Sequence, residues 1–236
     1  MALPKLNDTP KYSMTVPSTG QEVRFRPFLV KEEKVMLIAL ESEDQKQQLN
    51  SIVDTLKACI EDEVNFNTLT TFDVELMFNK LRAKSVGETA KVGIKCSNKE
   101  CEVDNEVVIN VDSMDIEIPE VSNIIELDDN ISIEMTWPSW NSVMDTATSK
   151  MTESEQMFNV LNNCLVAVIS NDERIDLKNE SKKEIANFVD SMNSEQFAKV
   201  RKYVEAMPSL KHPVEFNCSI CEHETKTVLE GIQNFF

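Results

Sequence analysis

Lys95-Cys96-Ser97-Asn98-Lys99-Glu100-Cys101 and Asn217-Cys218-Ser219-Ile220-Cys221 are the two stretches that decide the fold. Each places two cysteines on a short polar turn that β-type sequence enters and leaves. A turn with roughly two to four residues between its cysteines points both sulfurs at one ion, and zinc takes four thiolates at ~2.3 Å. We therefore predict a structural Zn²⁺ site with the ligands Cys96, Cys101, Cys218 and Cys221.

The two cysteine turns are separated by residues 102–217, so the predicted zinc ribbon is split by a long inserted segment. The entropy cost of closing a loop grows only logarithmically with its length, so this insertion is compatible with one shared site. A bound ion would tie the C-terminal part of the chain to its middle.

Other uses of the cysteines stay open. Cys218 and Cys221 also form a CxxC pair, but a thioredoxin-type pair opens a helix, and the sequence after Cys221 is typical of a strand. Four cysteines without a common site are a further alternative. His223 is an alternative ligand, although an exposed histidine outside the site fits better. Cys59 and Cys164 stand alone on apolar helix faces, where core packing is expected.

Around the cysteine turns, apolar and polar residues alternate with a period of two, which is typical of strands. This alternation includes Val107, Ile109 and Val111, then Ile116 and Ile118, and later Ile131–Met135. It returns after Val214. We expect residues 91–138, together with 212–236, to form one split zinc-ribbon and β region.

Residues 1–90 are expected to form an N-terminal hairpin and helices. Short alternating pieces flank Ser18-Thr19-Gly20, which predicts a β-hairpin with a glycine turn. Helical spacing begins at Lys31, and Ser42-Glu43-Asp44-Gln45 predicts a capping box for a second helix. A third helix is expected to begin at Thr70-Thr71.

Residues 139–211 are expected to form an inserted helical segment. Capping sequences at Thr152 and Ser181 begin two of its helices, and a third is expected near residues 194–206. The first carries an apolar face at Phe158/Leu161/Leu165/Val168. The fold class is therefore α+β, with helical segments around a small antiparallel β region and a split four-cysteine element.

Composition excludes several classes of protein. The chain carries 24 Lys+Arg against 41 Asp+Glu, a net charge of −17, which disfavours binding to nucleic acid. With only 4 Gly it lacks the glycine-rich phosphate loops of nucleotide-binding enzymes. Its most apolar runs are much shorter than the ~18 residues that span a bilayer, so no membrane span is expected. The N-terminus lacks the pattern of a secretory signal, which indicates a cytoplasm with reduced thiols.

The sequence also offers little for catalysis. Its 2 histidines, His212 and His223, both lie near the C-terminus, and four thiolates would leave a zinc ion no open position for substrate. We assign no catalytic residue and expect a protein that is not an enzyme and whose partners are other proteins.

Three segments resemble the baseplate hub protein family of T-even-like contractile-tailed bacteriophages. They are Val23-Arg24-Phe25-Arg26-Pro27-Phe28 and its continuation to Ala39, the strand Ile131–Pro138, and the stretch from Phe216-Asn217-Cys218 to Phe235-Phe236. The resemblance implies a non-enzymatic role as a hub component or a hub-assembly factor. It also implies hetero-oligomers with other baseplate and hub proteins, in the host cytoplasm during assembly or at the tail baseplate of the virion.

Arginine and phenylalanine are frequent anchors of protein interfaces. The candidate contact residues are therefore Arg24, Phe25, Arg26, Phe28, Phe235 and Phe236. As an alternative, Phe25 and Phe28 pack in the core and the two terminal residues dock back on the ribbon. Two other functions stay open: a cytoplasmic zinc-ribbon regulatory or adaptor protein, and a thiol-redox protein.

Overall fold

A computed structural model describes residues 10–42, 44–171 and 173–231. The helices of these residues are α1 Val30–Leu40, α2 Gln45–Cys59, α3 Thr71–Ser85, α4 Trp140–Ala147, α5 Glu153–Cys164, α6 Lys182–Asp190 and α7 Ser194–Glu205. The strands are β1 Tyr12–Thr15, β2 Glu22–Phe25, β3 Thr89–Lys95, β4 Asp104–Asn110, β5 Ile124–Glu126, β6 Ile131–Met135, β7 Leu165–Ser170, β8 Glu173–Asp176, β9 Lys211–Asn217 and β10 Glu224–Glu230. All the paired strands are antiparallel, so the predicted α+β class is confirmed.

The chain forms two compact units. The first runs to Phe66, continues over Phe72–Ile116 and resumes at Ser209, and the second combines Asn67–Thr71 with Glu117–Pro208. The division into 1–90, 91–138 with 212–236, and 139–211 stays a prediction. Strands β5 and β6 belong to the sheet of the second unit.

The first unit begins with the predicted hairpin, in which Tyr12 pairs with Phe25 and Thr15 with Glu22. Gly20 in its turn has a φ of 70°, a left-handed conformation that glycine adopts without steric cost. The Ser18 hydroxyl and amide donate hydrogen bonds of 2.6 and 2.8 Å to the Asp73 carboxylate at the start of α3. These bonds fix the hairpin turn to that helix.

Helices α1, α2 and α3 confirm the three helices expected before residue 90. The start of α2 differs from the prediction, because its N-cap is Asp44 instead of Ser42. The Asp44 carboxylate accepts hydrogen bonds from the amides of Lys46 and Gln47. An aspartate at this position satisfies two amides that the helix leaves without partners. Glu43 lies outside the described residues.

Two further hairpins complete the first unit. β3 pairs with β4 from Thr89↔Asn110 to Lys95↔Asp104, and β9 pairs with β10 from Asn217↔Glu224 to Lys211↔Glu230. The strand predicted after Cys221 is therefore confirmed. Each hairpin buries alternate residues and exposes the ones between them. Each also ends at one of the cysteine turns.

The second unit is built on the four-stranded sheet β5-β6-β7-β8. Ile133 and Met135 on β6 pack in one core with Leu161 of α5 and Val200 of α7. The capping boxes at Thr152 and Ser181 are present as predicted, since each hydroxyl accepts an amide hydrogen bond and the third helical residue, a glutamate, bonds back. These local signals place the helix starts correctly.

The prediction for the end of α5 was wrong. The helix ends at Cys164, and Leu165 and Val168 belong to β7, which lies between β6 and β8. A run rich in β-branched residues favours a central strand, where both faces are covered. Ile116 and Ile118, expected in a strand, lie outside the strands. Within the part of the chain that the structure describes, no helix is long and apolar enough to cross a membrane.

Candidate metal centre

The structure brings together the four paired cysteines within the first unit. The Sγ atoms of Cys96, Cys101, Cys218 and Cys221 all lie within 4.8 Å of one another. The distance is 3.7 Å between Cys96 and Cys221 and 3.8 Å between Cys101 and Cys218. A tetrahedral ion with Zn–S bonds of ~2.3 Å sets its sulfurs about 3.8 Å apart. The spacing and the chemistry of these donors therefore fit one metal ion.

The two cysteine turns share one backbone design despite their different lengths. The Cys96 amide donates to the Val103 carbonyl at 2.9 Å, and the Cys218 amide donates to the His223 carbonyl at 3.0 Å. The residue after the second cysteine is left-handed in both turns, with φ 44° at Glu102 and 58° at Glu222. This residue reverses the chain into the outgoing strand.

Hydrogen-bond donors surround the sulfurs. Asn98 donates its amide N–H to Cys96 Sγ at 3.4 Å and its side chain to Cys221 Sγ at 3.8 Å. The Asn105 side chain donates to Cys218 Sγ at 3.6 Å. Donors of this kind stabilise thiolates, which carry more negative charge than one divalent ion can offset.

The metal-free thiols differ in acidity. The pKa of Cys218 is lowered to about 6 by the backbone amides of Cys221 and Ile220 and by Asn105. At Cys101 the Val103 amide lowers the pKa, but burial and the neighbouring thiols of Cys221 and Cys218 outweigh it and raise the pKa to about 11. A metal ion that binds near neutral pH therefore displaces protons from some of the ligands.

The arrangement favours a structural metal. Four sulfurs fill a tetrahedral coordination sphere and leave no position for water or substrate. The CxxC pair is followed by β10 instead of a helix, which argues against a thioredoxin-type redox site. Among the described residues the cluster comprises the four cysteines and not His223, whose Nε2 lies 3.1 Å from the Ser97 hydroxyl.

The two remaining cysteines lie in the core, as expected. Cys59 and Cys164 are buried, and burial raises the pKa of Cys59 to about 11 and that of Cys164 to about 12. Both thiols therefore stay protonated near neutral pH.

The candidate contact residues have different environments. Phe25 is 1% exposed, so it packs in the core. This corrects the expectation that Phe25 lies on a contact surface and agrees with the alternative of core packing. Arg24 binds Asp62 at 2.7 Å with its side chain largely exposed. Arg26 is mostly buried and binds Glu32 at 2.8 Å.

Phe28 is the remaining aromatic candidate among the described residues. Phe28 is half-buried, and its amide donates to the Ser85 hydroxyl at 3.0 Å. Phe235 and Phe236 lie outside the described residues.

An exposed apolar surface on α1 was missed by the sequence analysis. Val35 and Ile38 lie about one turn apart and are 54% and 53% exposed, and we call these two residues the α1 face. Leu37, which is 55% exposed, points away from Val35. The sequence does carry a signal for this surface. The second half of α1 is apolar on all sides, whereas a surface helix normally confines its apolar residues to one stripe.

Fold and site together define a small α+β protein with a split ribbon whose four cysteines could hold one metal ion. The family described as T4 bacteriophage base plate protein matches residues 9–236, nearly the whole chain. The chain belongs to this family and is a structural protein of the phage baseplate, a part of the virion tail. The predicted resemblance is confirmed at this level. Neither the curated proteins nor the solved structures contain a match to the chain.

Proposed function

We propose that this chain is a structural or assembly protein of the baseplate hub of a contractile phage tail. In this role it binds other hub proteins and catalyses no reaction. The observation that carries the proposal is the family match over residues 9–236. The chain acts in the host cytoplasm during assembly and then at the tail baseplate.

The proposed cofactor is one structural Zn²⁺ held by Cys96, Cys101, Cys218 and Cys221. An all-sulfur set of four ligands suits zinc, and the ion's binding energy contributes directly to folding. The ion joins the β3/β4 and β9/β10 hairpins, between which the sequence of the second unit is inserted. Its role is to keep the first unit folded.

The proposed contact surface is the α1 face. Val35 and Ile38 also line a groove of about 490 Å³ between α1 and α2, and the charged residues in its other walls are Asp44, Asp54 and Lys46. A second copy of the chain is a poor occupant, because each copy carries a net charge of −17. The occupant we propose is another hub protein that offers an apolar segment flanked by basic residues. Proposed additional contacts are Arg24, Arg26, Phe28, Phe235 and Phe236.

A regulatory or adaptor role for the ribbon has no observation of its own in its favour. The redox alternative is weakened by the strand that follows Cys221.

The test is reconstitution with defined partners. The protein is purified with zinc, mixed separately with each hub protein and each peripheral baseplate protein of the same phage, and analysed by native mass spectrometry. A complex of fixed stoichiometry with a hub protein supports the proposal. Complexes with peripheral baseplate proteins alone would overturn the hub assignment and leave the family membership intact.

A further inference from the structure

Two buried polar side chains connect the cysteine turns crosswise. We infer that Asn105 and Thr225 are reciprocal positioning residues of the metal site, each on one hairpin and each fixing the cysteine turn of the other. Asn105 lies on β4, next to the first turn, and Thr225 lies on β10, next to the second. The inference rests on the proposed metal-binding role and assigns the residues that hold the ligands in place.

Asn105 holds the second turn from the first hairpin. Its side chain is 6% exposed, and its Oδ1 accepts hydrogen bonds of 2.9 Å from both the amide and the hydroxyl of Ser219. Its Nδ2 donates to Cys218 Sγ at 3.6 Å and to the Val103 carbonyl at 3.0 Å. One buried amide group therefore fixes both the backbone and a sulfur of the opposite turn.

Thr225 holds the first turn from the second hairpin. It is 2% exposed, and its hydroxyl oxygen accepts from the Ser97 amide at 3.2 Å and from the Ser97 hydroxyl at 3.3 Å. The hydroxyl donates to Cys96 Sγ at 3.9 Å. Thr225 thus repeats on the first turn what Asn105 does on the second.

The burial of these two side chains and the direction of their hydrogen bonds explain their physical role. A buried amide or hydroxyl without a partner costs free energy, so each of these groups favours the arrangement in which the two hairpins stay together. The Asn105 and Thr225 side chains also donate one hydrogen bond each to a sulfur, of Cys218 and Cys96 respectively. These two bonds orient the ligands and favour the thiolate. Changing outer-sphere partners of this kind typically costs roughly 10–100-fold in metal affinity.

Zinc affinity provides the first test, by competition with a chelating dye. Asn105→Asp keeps the acceptor oxygen for Ser219 and replaces the donor to Cys218 with a carboxylate oxygen. Its control is Asn110→Asp, the same change on the same strand, at an exposed residue whose Oδ1 accepts from the Asp112 amide at 3.0 Å. We expect the dissociation constant to rise roughly 10–100-fold for Asn105→Asp and to stay near the wild-type value for the control.

The zinc affinity of Thr225→Val is measured in the same way, with Thr227→Val as its control. Thr227 is half-buried on the same face of β10. We expect Thr225→Val to weaken zinc binding and Thr227→Val to leave it unchanged.

Hydrogen–deuterium exchange of the metal-free full chain provides the second test. Thr225→Val should speed exchange in the turn at residues 96–101, and Asn105→Leu should speed it at residues 218–221. Each effect is thus expected on the hairpin that was not changed. Wild-type zinc affinity in Asn105→Asp and Thr225→Val would overturn the inference, as would faster exchange confined to the altered hairpin. If the wild-type chain binds no zinc, the proposed cofactor fails, and the exchange measurement still decides the positioning role.

Discussion

Cys96 and Cys221 place their Sγ atoms 3.7 Å apart although 125 positions separate them in the sequence. The other short distance, 3.8 Å from Cys101 to Cys218, also joins the two hairpins. Both distances join sulfurs of different turns, so an ion bound here is shared by both hairpins.

Replacing a single ligand should remove the stabilisation that zinc provides. For the wild-type chain, free zinc at a thousand times its dissociation constant raises the free energy of unfolding by about 4 kcal/mol. Cys218→Ser should show little of this gain, measured by denaturant unfolding with and without zinc. The control is Cys59→Ala, a core change that lowers the starting stability but should keep the full response to zinc. An equal response in both variants would contradict the ligand assignment.

Oxidation of the metal-free protein should form disulfides between the two cysteine turns. With diamide as the oxidant, two thiols are converted to a disulfide, and peptide mapping identifies the partners. We expect Cys96–Cys221 and Cys101–Cys218 as the first products, because these sulfurs already lie 3.7 and 3.8 Å apart. Bound zinc should protect all four thiols. A predominant Cys218–Cys221 disulfide would contradict this expectation.

The Arg26–Glu32 pair should make stability depend on pH in acid. Burial raises the pKa of Glu32, but hydrogen bonds from Arg26, the Leu29 amide and Lys31 outweigh it, so the folded pKa lies below the ordinary value. The contribution is therefore present above the unfolded pKa of ~4.3 and is lost as the pH falls through the lowered folded pKa.

Glu32→Gln tests this contribution. It should lower the free energy of unfolding by roughly 1.5–3 kcal/mol near neutral pH. The difference from the wild type should stay constant between about pH 6 and 8 and shrink below about pH 4. A difference that does not change with pH would mean that the ion pair does not carry it.

The α1 face should be required for assembly and dispensable for folding. Val35→Ser combined with Ile38→Ser removes exposed apolar surface, so the melting temperature should change little. Affinity for the hub partner should fall about tenfold or more, which corresponds to ~1.4 kcal/mol. Val228→Ser is the matched control, since Val228 is 56% exposed on β10. Unchanged affinity in the double variant would remove the α1 face from the contact surface.

The sheet of the second unit should be sensitive to the loss of a buried side chain. Ile133 is fully buried on β6, and Ile133→Ala should lower the free energy of unfolding by roughly 2–5 kcal/mol. Ile118→Ala, at a partly exposed residue outside the strands, should cost no more than about 0.5 kcal/mol. Chemical unfolding measures both, and equal costs would contradict the described core.

The sequence predicts those features that depend on neighbouring residues. Thr152 and Ser181 mark helix starts correctly because a capping box is complete within four positions. The end of α5 was missed because Leu165 and Val168 fit a helical face, and only pairing of β7 with β6 and β8 selects the strand. The cysteine spacing was sufficient to group the four sulfurs.

The positioning residues could not be found in the same way. Asn105 and Thr225 are ordinary polar residues in strands, and their roles come from the other hairpin, more than a hundred positions away. The α1 face left a sequence signal, an apolar run on every side of a helix, but that signal also fits a helix buried on all sides.

The metal content of the purified chain decides whether one zinc ion joins the two hairpins. Elemental analysis and native mass spectrometry are applied to the wild type and to Cys96→Ser/Cys218→Ser. Our prediction is one zinc per wild-type chain, none in the double variant, and a lower melting temperature after chelation. A folded wild-type chain that carries no zinc, and whose melting temperature a chelator leaves unchanged, would contradict it.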